Sequence, residues 1–221
     1  MVDRAIVRSE YSSLFEALSK ADIRFCLLRD DLRGANVPDD LDMLVDRDRF
    51  DEALDILQNI GYRIRVTERL IPFKTSLVKH ACGQFVAVDL HREVVQGGII
   101  YMDGQSVLGR RVPVDDYFLP AESDLLAILV FHNVIGKRRI QEKHYPQIRE
   151  LSETVDRETL KQTLSEYGTY PDLCKLIDNL DTYYREPDRT ERLREEVIGR
   201  LQPVNRLIER QLEAHLLFLQ H

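Results

Sequence analysis

The chain has 221 residues, of which 43% are hydrophobic and 31% are charged, and its formal net charge at pH 7 is −7. This composition is ordinary for a globular protein, and the length suffices for one large domain or two small ones. The negative balance disfavours a protein whose main task is to coat nucleic-acid phosphate, because such binding needs clustered Lys and Arg.

Cellular location is indicated by three further features. The longest apolar run, residues 125–131, is far shorter than the roughly 20 residues of a membrane-spanning helix. Residues 1–4 lack the pattern of a signal peptide. Cys26, Cys82 and Cys174 are odd in number and widely spaced, which predicts inert thiols rather than a disulfide framework or a zinc site. We therefore expect a soluble protein of the reducing cytoplasm with no membrane partner.

The first half of the chain has the pattern of a small mixed sheet backed by helices. Apolar residues at three- and four-residue spacing predict a helix over residues 9–20. A second helix follows the N-cap candidates Asp46 and Asp48 and ends at Gly61. Alternating or continuous apolar runs predict strands at residues 23–28, 40–45, 62–66 and 84–90. This order of elements predicts an α/β (α+β) domain over residues 1–115.

The second half is predicted to be helical. Pro120 opens a strongly apolar helix over residues 121–135, and helical periodicity continues through most of the remainder. A highly charged helix is expected over residues 190–219, with a kink or break at Pro203. We place the boundary near Asp115, which leaves a helical domain over residues 116–221.

Asp40, Asp42 and Asp89 are carboxylates in strands whose packing does not need them. Alternate residues of a strand point to one face, and a rise of about 3.3 Å per residue sets Asp40 and Asp42 roughly 6.5 Å apart. If the strand of Asp89 lies beside them, three negative groups face one point, and a divalent cation would relieve their repulsion. Mg²⁺ fills its remaining positions with water and phosphate oxygens, so a Mg²⁺ site that handles phosphate is predicted. The alternative is that Asp40 caps a turn, Asp42 lies at a sheet edge and Asp89 pairs with a nearby Arg.

The order of these motifs is similar to that of a known superfamily. Asp40-Leu41-Asp42-Met43-Leu44-Val45, a following helix and then Val88-Asp89-Leu90-His91 resemble the nucleotidyltransferases of the polymerase-beta-like fold. More narrowly, they resemble the uncharacterised nucleotidyltransferases that are often small bacterial and archaeal proteins. The resemblance covers approximately residues 20–140 and implies a polymerase-beta-like domain followed by a helical region.

The resemblance also implies an activity. It implies transfer of a nucleoside monophosphate from a nucleoside triphosphate, such as ATP, to a hydroxyl of a small molecule or a protein. Asp40 and Asp42 would hold two Mg²⁺ ions, and Asp89 would complete the site of the ion beside the attacking hydroxyl. The sequence determines neither the acceptor nor the preferred nucleotide, and a homo-oligomer stays open.

One departure from the superfamily's pattern favours other functions. Members usually carry Gly-Gly or Gly-Ser after the first strand, whereas this chain has Leu27-Leu28-Arg29-Asp30-Asp31. Arg29 is a candidate replacement because a guanidinium recognises phosphate through two parallel hydrogen bonds, but Asp30 and Asp31 oppose a polyanion. One alternative is therefore a catalytically degenerate member that acts as a binding or regulatory partner. A metal-dependent phosphohydrolase is another.

The remaining candidates are a histidine and several cations. His91 lies two residues after Asp89 and should share its face, where it is a candidate to bind nucleotide or acceptor. Lys137 and Arg138 follow the apolar helix and are candidates to bind the triphosphate, although a helix C-terminus also favours cations. Further candidates of the same kind are Lys74, Lys79 and Arg92.

Overall fold

The computed structural model describes residues 4–29, 32, 40–67, 73–165 and 167–218, with the backbone alone from residue 203 on. Contacts divide the described chain into two compact units. The first lies within Met1–Gly98 and Asp103–Ala121, and the second within Ile99–Met102 and Glu122–His221. The domain boundary near Asp115 stays a prediction.

The first unit contains most of the strands. They are β1 (Phe25–Leu27), β2 (Leu41–Val45), β3 (Arg63–Val66), β4 (Lys74–Ala81), β5 (Gln84–His91), β6 (Val94–Gln96), β8 (Val112–Val114) and β9 (Tyr117–Leu119). Its α-helices are α1 (Arg4–Lys20), α2 (Phe50–Asn59) and α3 (Gly104–Gly109). The second unit contains β7 (Ile99–Met102) and the helices α4 (Glu122–Phe131), α5 (Tyr145–Thr154), α6 (Arg157–Leu164), α7 (Tyr170–Ile177), α8 (Leu180–Arg185) and α9 (Pro187–Phe218).

A five-stranded mixed sheet organises the first unit in the order β1-β2-β5-β4-β3. β2 and β5 are parallel, and the other neighbouring pairs are antiparallel. This arrangement confirms the predicted mixed α/β sheet. It also places the strand of Asp89 directly beside the strand of Asp42.

One face of this sheet forms the hydrophobic core with α1 and α2. Leu41, Met43, Val88 and Leu90 point to this face and are essentially inaccessible to solvent. α1 adds an apolar stripe of Val7, Tyr11, Leu14, Phe15 and Leu18. Because strand side chains alternate between faces, the residues between these core positions point to the opposite face.

The predicted elements of this unit are found with modest changes of length. The strand predicted at residues 23–28 is confined to β1, and the strand predicted at 84–90 extends to His91. Asp46 caps a 3₁₀ turn that leads into α2 by accepting a hydrogen bond from the Asp48 amide at 3.2 Å. The helix ends before Gly61, which has a positive φ of 98°.

The sequence reasoning missed β4. Its core-face positions are Thr75, Leu77, Lys79 and Ala81, so the apolar alternation that marks a half-buried strand is weak. Lys79 occupies a core-face position because its ammonium pairs with Glu10 of α1 at 2.5 Å. The strand is held instead by its continuous pairing with β5 from Lys74 to Ala81.

The second unit is helical, and its first helix differs from the prediction. α4 is buried on all sides and ends at Phe131, and a π-helix over residues 132–137 replaces the predicted continuation to Ile135. The buried Asn133 donates a hydrogen bond to the Leu129 carbonyl at 2.7 Å and accepts one from the Gln141 amide at 2.8 Å. These bonds satisfy backbone groups where the α-helical pattern is interrupted.

The long last helix has no break at Pro203. α9 continues from Pro187 to Phe218, and the kink expected at Pro203 as the other possibility stays a prediction. A proline within a helix removes one backbone hydrogen bond, and the helix can continue on both sides of it. Among the described residues, no helix has both the length and the apolar character required to span a membrane.

Candidate functional site

The pairing of β2 with β5 brings two of the predicted carboxylates together. Asp42 is directly opposite Asp89, and Leu44 is opposite His91. The core-face residues on either side fix the register, because a shift by one residue would turn the apolar side chains toward the other face. Asp42, Asp89 and His91 therefore share the face of the sheet that is turned away from α1 and α2.

These three side chains form a compact cluster. Each offers a ligand atom that lies within 4.8 Å of the ligand atoms of the other two. Asp89 and His91 are buried, and the Asp42 side chain is 16% exposed. Among the residues that the structure describes, these are the three His, Cys, Asp or Glu side chains whose ligand atoms are close enough to share one metal ion, which makes the cluster the strongest candidate for a functional site there.

Each carboxylate of the pair has an Arg or Lys partner and one further hydrogen-bonding partner. Asp42 forms an ion pair with Arg29, and its Oδ1 is 3.0 Å from Nε2 of His91. Asp89 forms an ion pair with Lys74 and accepts a hydrogen bond from the Ser76 hydroxyl at 2.5 Å. All four carboxylate oxygens therefore have partners, and the two negative charges are matched by two positive ones.

The pKa values of Asp42, in β2, and Asp40, just before it, shift in opposite directions. Burial alone would raise the pKa of Asp42, but the His91 hydrogen bond and the positive charges of Arg29 and Lys74 hold that pKa well below its ordinary value. Burial, together with the negative charges of Asp42 and Asp89, raises the pKa of Asp40. Asp42 is thus fixed as a carboxylate, whereas Asp40 experiences negative charge that Arg29 and Lys74 only partly offset.

Asp40 lies immediately before β2 and is half-buried. It is not one of the three residues whose ligand atoms lie within 4.8 Å of one another, and His91 takes the third place in that group. Among the residues that the structure describes, Asp40 has no hydrogen-bond or ion-pair partner. Its predicted role as a metal ligand stays a prediction.

The other predicted binding residues have different surroundings. Arg29 is buried beside Asp42, whereas Asp30 and Asp31 lie outside the described residues. Lys137 is the last residue of the π-helix in the second unit. Arg138 follows with a positive φ of 57°, and its guanidinium is 3.8 Å from Glu191. The nucleotide-binding roles of these residues stay predictions.

β4 supplies two residues of the site, Ser76 and Lys74. The sequence did not single out Ser76, and it grouped Lys74 with other cations. Ser76 and Lys74 contact Asp89 because they are opposite Asp89 and His91 in the β4–β5 pairing. Lys79, which the sequence grouped with Lys74, pairs with Glu10 on the core side, and Arg92 pairs with Asp51 at 2.7 Å. Only a correct prediction of β4 and its register could have distinguished Lys74 from the other two.

A second polar network connects the segments that follow β2 and β5 to the start of α3. The buried Glu93 accepts a hydrogen bond from the Gly104 amide at 3.0 Å and pairs with Arg47, which is also 3.0 Å from Asp103. A Cβ atom on Gly104 would lie 3.0 Å from the Arg92 carbonyl and 3.1 Å from Cδ1 of Leu44. α3 can therefore pack closely on Leu44, the residue opposite His91, only with glycine at its first position.

The donor set of the cluster fits a divalent cation. Donor atoms that lie about 2.0–2.6 Å from one ion are within roughly 5 Å of one another, which agrees with the 4.8 Å span of Asp42, Asp89 and His91. Burial is the main cause of the raised pKa of Asp40, and the negative charges of Asp42 and Asp89 raise it further. For one ion to bind both aspartates in place of these cations, Arg29 would have to release Oδ2 of Asp42 and Lys74 would have to release Oδ2 of Asp89.

Comparisons with known proteins give likenesses of structure only. No protein-family model and no curated protein matches the chain. The lincosamide antibiotic adenylyltransferase LnuA, solved with lincomycin bound, is 16% identical, with 66% of this chain and 97% of that chain covered and a TM-score of 0.44. The antibiotic-resistance factor ANT(2'')-Ia is 10% identical, with 73% of this chain and 90% of that chain covered and a TM-score of 0.48. JHP933 from Helicobacter pylori is 13% identical, with 97% of this chain and 96% of that chain covered and a TM-score of 0.45. Because these identities and TM-scores are low, we infer nothing about activity from them.

Proposed function

We propose that this protein is a Mg²⁺-dependent nucleotidyltransferase that transfers a nucleoside monophosphate from a nucleoside triphosphate to a hydroxyl of a small molecule or a protein. The observation that carries the proposal is the parallel pairing of Asp42 with Asp89, with His91 in the same cluster. Two carboxylates on adjacent strands of one sheet face can hold cations beside a substrate phosphate, and positioning and charge neutralisation are the main contributions that a protein makes to phosphoryl transfer.

Asp42 and Asp89 are the proposed metal ligands, with Asp40 and His91 as further donors. We propose two Mg²⁺ ions when nucleotide is bound, and they would stabilise the charge on the attacking and leaving oxygens. The low pKa of Asp42 keeps it ionised over the whole physiological range, so it is ready to bind a cation without losing a proton.

Arg29 and Lys74 have a proposed second role. In the structure they neutralise Asp42 and Asp89, and their charges become available to the triphosphate when an ion takes their place. Arg29 would compensate in this way for the missing small residues after β1, since its guanidinium can bind phosphate oxygens in pairs. Lys137 and Arg138 are proposed as additional nucleotide-binding residues.

The proposed reaction forms a bond between the acceptor oxygen and the α-phosphorus while the bond from the α-phosphorus to the β-phosphate oxygen breaks. Pyrophosphate leaves with the electron pair of the broken bond. We assign the hydroxyl proton to Asp89, whose Oδ1 already accepts a hydrogen bond from the Ser76 hydroxyl. His91 keeps Asp42 oriented through the 3.0 Å contact of its Nε2.

The test is calorimetric titration of ATP, CTP, GTP and UTP with and without Mg²⁺. We expect at least one nucleotide to bind only with Mg²⁺, and we expect Asp42→Asn to abolish that binding because it removes the charge and keeps the size. Asp51→Asn is the matched control, since Asp51 is an exposed carboxylate on α2. Failure of every nucleotide to bind, or unchanged binding by Asp42→Asn, would contradict the proposal. Release of inorganic phosphate rather than pyrophosphate would identify a phosphohydrolase.

A catalytically degenerate binding or regulatory partner is the second candidate. The ion pairs of Arg29 with Asp42 and of Lys74 with Asp89 favour it, because they satisfy both carboxylates without a metal. In that case the ion pairs are structural, and Mg²⁺ should not change the melting temperature at any nucleotide concentration. A melting temperature that rises only with Mg²⁺ and nucleotide together would exclude this candidate.

A further inference from the structure

The ladder of β4 with β5 continues beyond the acidic cluster on the same face of the sheet. Successive residue pairs on that face are Lys74 with His91, Ser76 with Asp89, Val78 with Ala87 and His80 with Phe85. The pairing has no bulge along this length, so all four pairs point the same way. The face changes from charged at one end to aromatic at the other.

The aromatic end is open to solvent. Phe85 is 75% exposed, more than any other large hydrophobic residue in the described part of the chain. Its ring meets the exposed His80 edge to face, with centroids 5.1 Å apart and planes at 70°. Val78 and Ala87 are small and half-buried, and they connect this pair to Ser76 and Asp89. We call His80 and Phe85 the aromatic platform.

The spacing and charge around the platform restrict what can lie on it. Phe85 is four residues from Asp89 on one strand, which corresponds to about 13 Å. Arg63 of β3 is opposite Val78 and so faces the same side of the sheet, and it has no ion-pair partner among the described residues. A ligand that spans the distance from Asp89 to the platform would therefore pass an exposed positive charge, which disfavours a polycation.

We propose that the acceptor of the nucleotidyl transfer carries a planar aromatic ring that packs on the platform of His80 and Phe85 while its hydroxyl lies at Asp89. This inference rests on the proposed function. Its support is the continuity of the platform with the acidic cluster on one uninterrupted ladder. Planar rings pack well on exposed aromatic side chains, and the exposed Phe85 would lose contact with water on binding.

A second copy of the chain is the other occupant to consider. β3 is the outer strand at this edge of the sheet, and it presents the exposed Arg63 and Arg65. Two copies that met at this edge would bring rows of like charge together, which is a common protection against edge pairing. The surface therefore favours a small aromatic ligand over a self-association site.

The experiment uses Phe85→Trp as a reporter, since the chain contains no tryptophan. The probes are p-nitrophenyl β-D-glucopyranoside, which has hydroxyls and a quenching ring, and methyl β-D-glucopyranoside, which has the hydroxyls alone. We expect saturable quenching by the first probe and none by the second. A second substitution, His80→Ala, should weaken the response about fivefold through the loss of one ring contact.

Ile64→Trp is the matched control. Ile64 is also an exposed apolar residue on this sheet, but it is opposite Leu77 and so lies on the other face. Equal quenching of both reporters, or no saturable quenching of Phe85→Trp, would overturn the inference. A dimer of the wild-type chain that dissociates in Phe85→Ala, measured by sedimentation, would also overturn it.

Nucleotide titration of the same Phe85→Trp protein separates the two proposals. If Mg²⁺ and nucleotide bind but the nitrophenyl probe does not, the aromatic platform fails and the proposed function stands. If the probe binds saturably but no nucleotide does, the assignment of the platform to an acceptor falls together with the proposed function. Binding of both, with mutual enhancement, is the expected result.

Discussion

The two faces of β5 differ sharply although they belong to one strand. On one face Val86, Val88 and Leu90 are fully buried in the core with α1 and α2. On the other face Asp89 and His91 carry ion pairs, hydrogen bonds and the proposed chemistry. Because side chains alternate along a strand, a residue that stabilises the core is followed directly by a residue of the proposed site. Substitutions of neighbouring residues should therefore have effects of different kinds.

The largest expected effect is on the functional face. Asp89→Asn should reduce nucleotidyl transfer at least about a thousandfold, which corresponds to about 4 kcal/mol of transition-state stabilisation, because it removes a proposed metal ligand and proton acceptor. Pyrophosphate release measures the rate, and urea unfolding shows whether the fold persists. A variant with a normal rate would show that Asp89 is only a partner of Lys74.

On the core face the effect should be on stability. Leu90→Ala is expected to lower the free energy of unfolding by about 3 kcal/mol, since it removes buried methyl groups and leaves a cavity in a fully buried position. Urea unfolding measures this loss. Val78→Ala, on the half-buried opposite face, should lower it by about 1 kcal/mol or less. Equal losses at both positions would contradict the division between the faces.

The contact between α3 and β2 allows a smaller test. Gly104→Ala should destabilise the protein by about 2 kcal/mol, because its Cβ would be 3.0 Å from the Arg92 carbonyl and 3.1 Å from Leu44. Gly109→Ala at the other end of α3 meets nothing within 4 Å and should change stability by about 0.5 kcal/mol or less. Thermal unfolding of the two variants measures the difference, and similar melting temperatures would refute the close approach at Gly104.

Lys74 tests the competition between a cation of the chain and a metal. Lys74→Met should raise the affinity for Mg²⁺ in the absence of nucleotide about tenfold, since the ion no longer displaces Lys74 from Asp89. The same variant should bind nucleotide more weakly. Lys79→Met is the control on the same strand, because Lys79 pairs with Glu10 on the core face. A lower Mg²⁺ affinity in Lys74→Met, measured by calorimetry, would contradict this competition.

The smallest expected effect concerns Asp40 and pH. Its folded-state pKa is raised, chiefly by burial and then by Asp42 and Asp89, so its ionisation destabilises the fold once the pH exceeds that pKa. Asp40→Asn should therefore stabilise the metal-free protein at pH 7, and the gain should shrink as the pH falls and the wild-type carboxyl becomes protonated. Urea unfolding at several pH values measures it.

Metal should reverse the sign of this effect if Asp40 is a ligand. With saturating Mg²⁺ and nucleotide, Asp40→Asn would then be less stable than the wild type, because it loses bound metal. Asp55→Asn, a change of an exposed carboxylate on α2, controls for the lower net charge. If Asp40→Asn stabilised the protein equally at every pH, with and without metal, neither the raised pKa of Asp40 nor its proposed role as a metal ligand would be correct.

Much of the first unit was predictable because its signals are local. The strands of Asp42 and Asp89 have apolar residues at alternate positions, and these positions turned out to be the core face. The helix between Asp46 and Gly61 has a cap at one end and a glycine with positive φ at the other. The missed strand β4 has Thr75 and Lys79 on its core face, so its formation depends on pairing with β5 rather than on its own pattern.

The sequence by itself determined which strands carry carboxylates, because the period of two that buries Leu41, Met43, Val88 and Leu90 also turns Asp42 and Asp89 away from the core. Only the tertiary structure decided which partners those carboxylates have. The parallel register of β2 with β5 and the antiparallel register of β4 with β5 are long-range pairings, and they bring Lys74, Ser76 and His91 to the two aspartates. Such pairings depend on the packing of the whole sheet, which no local pattern encodes.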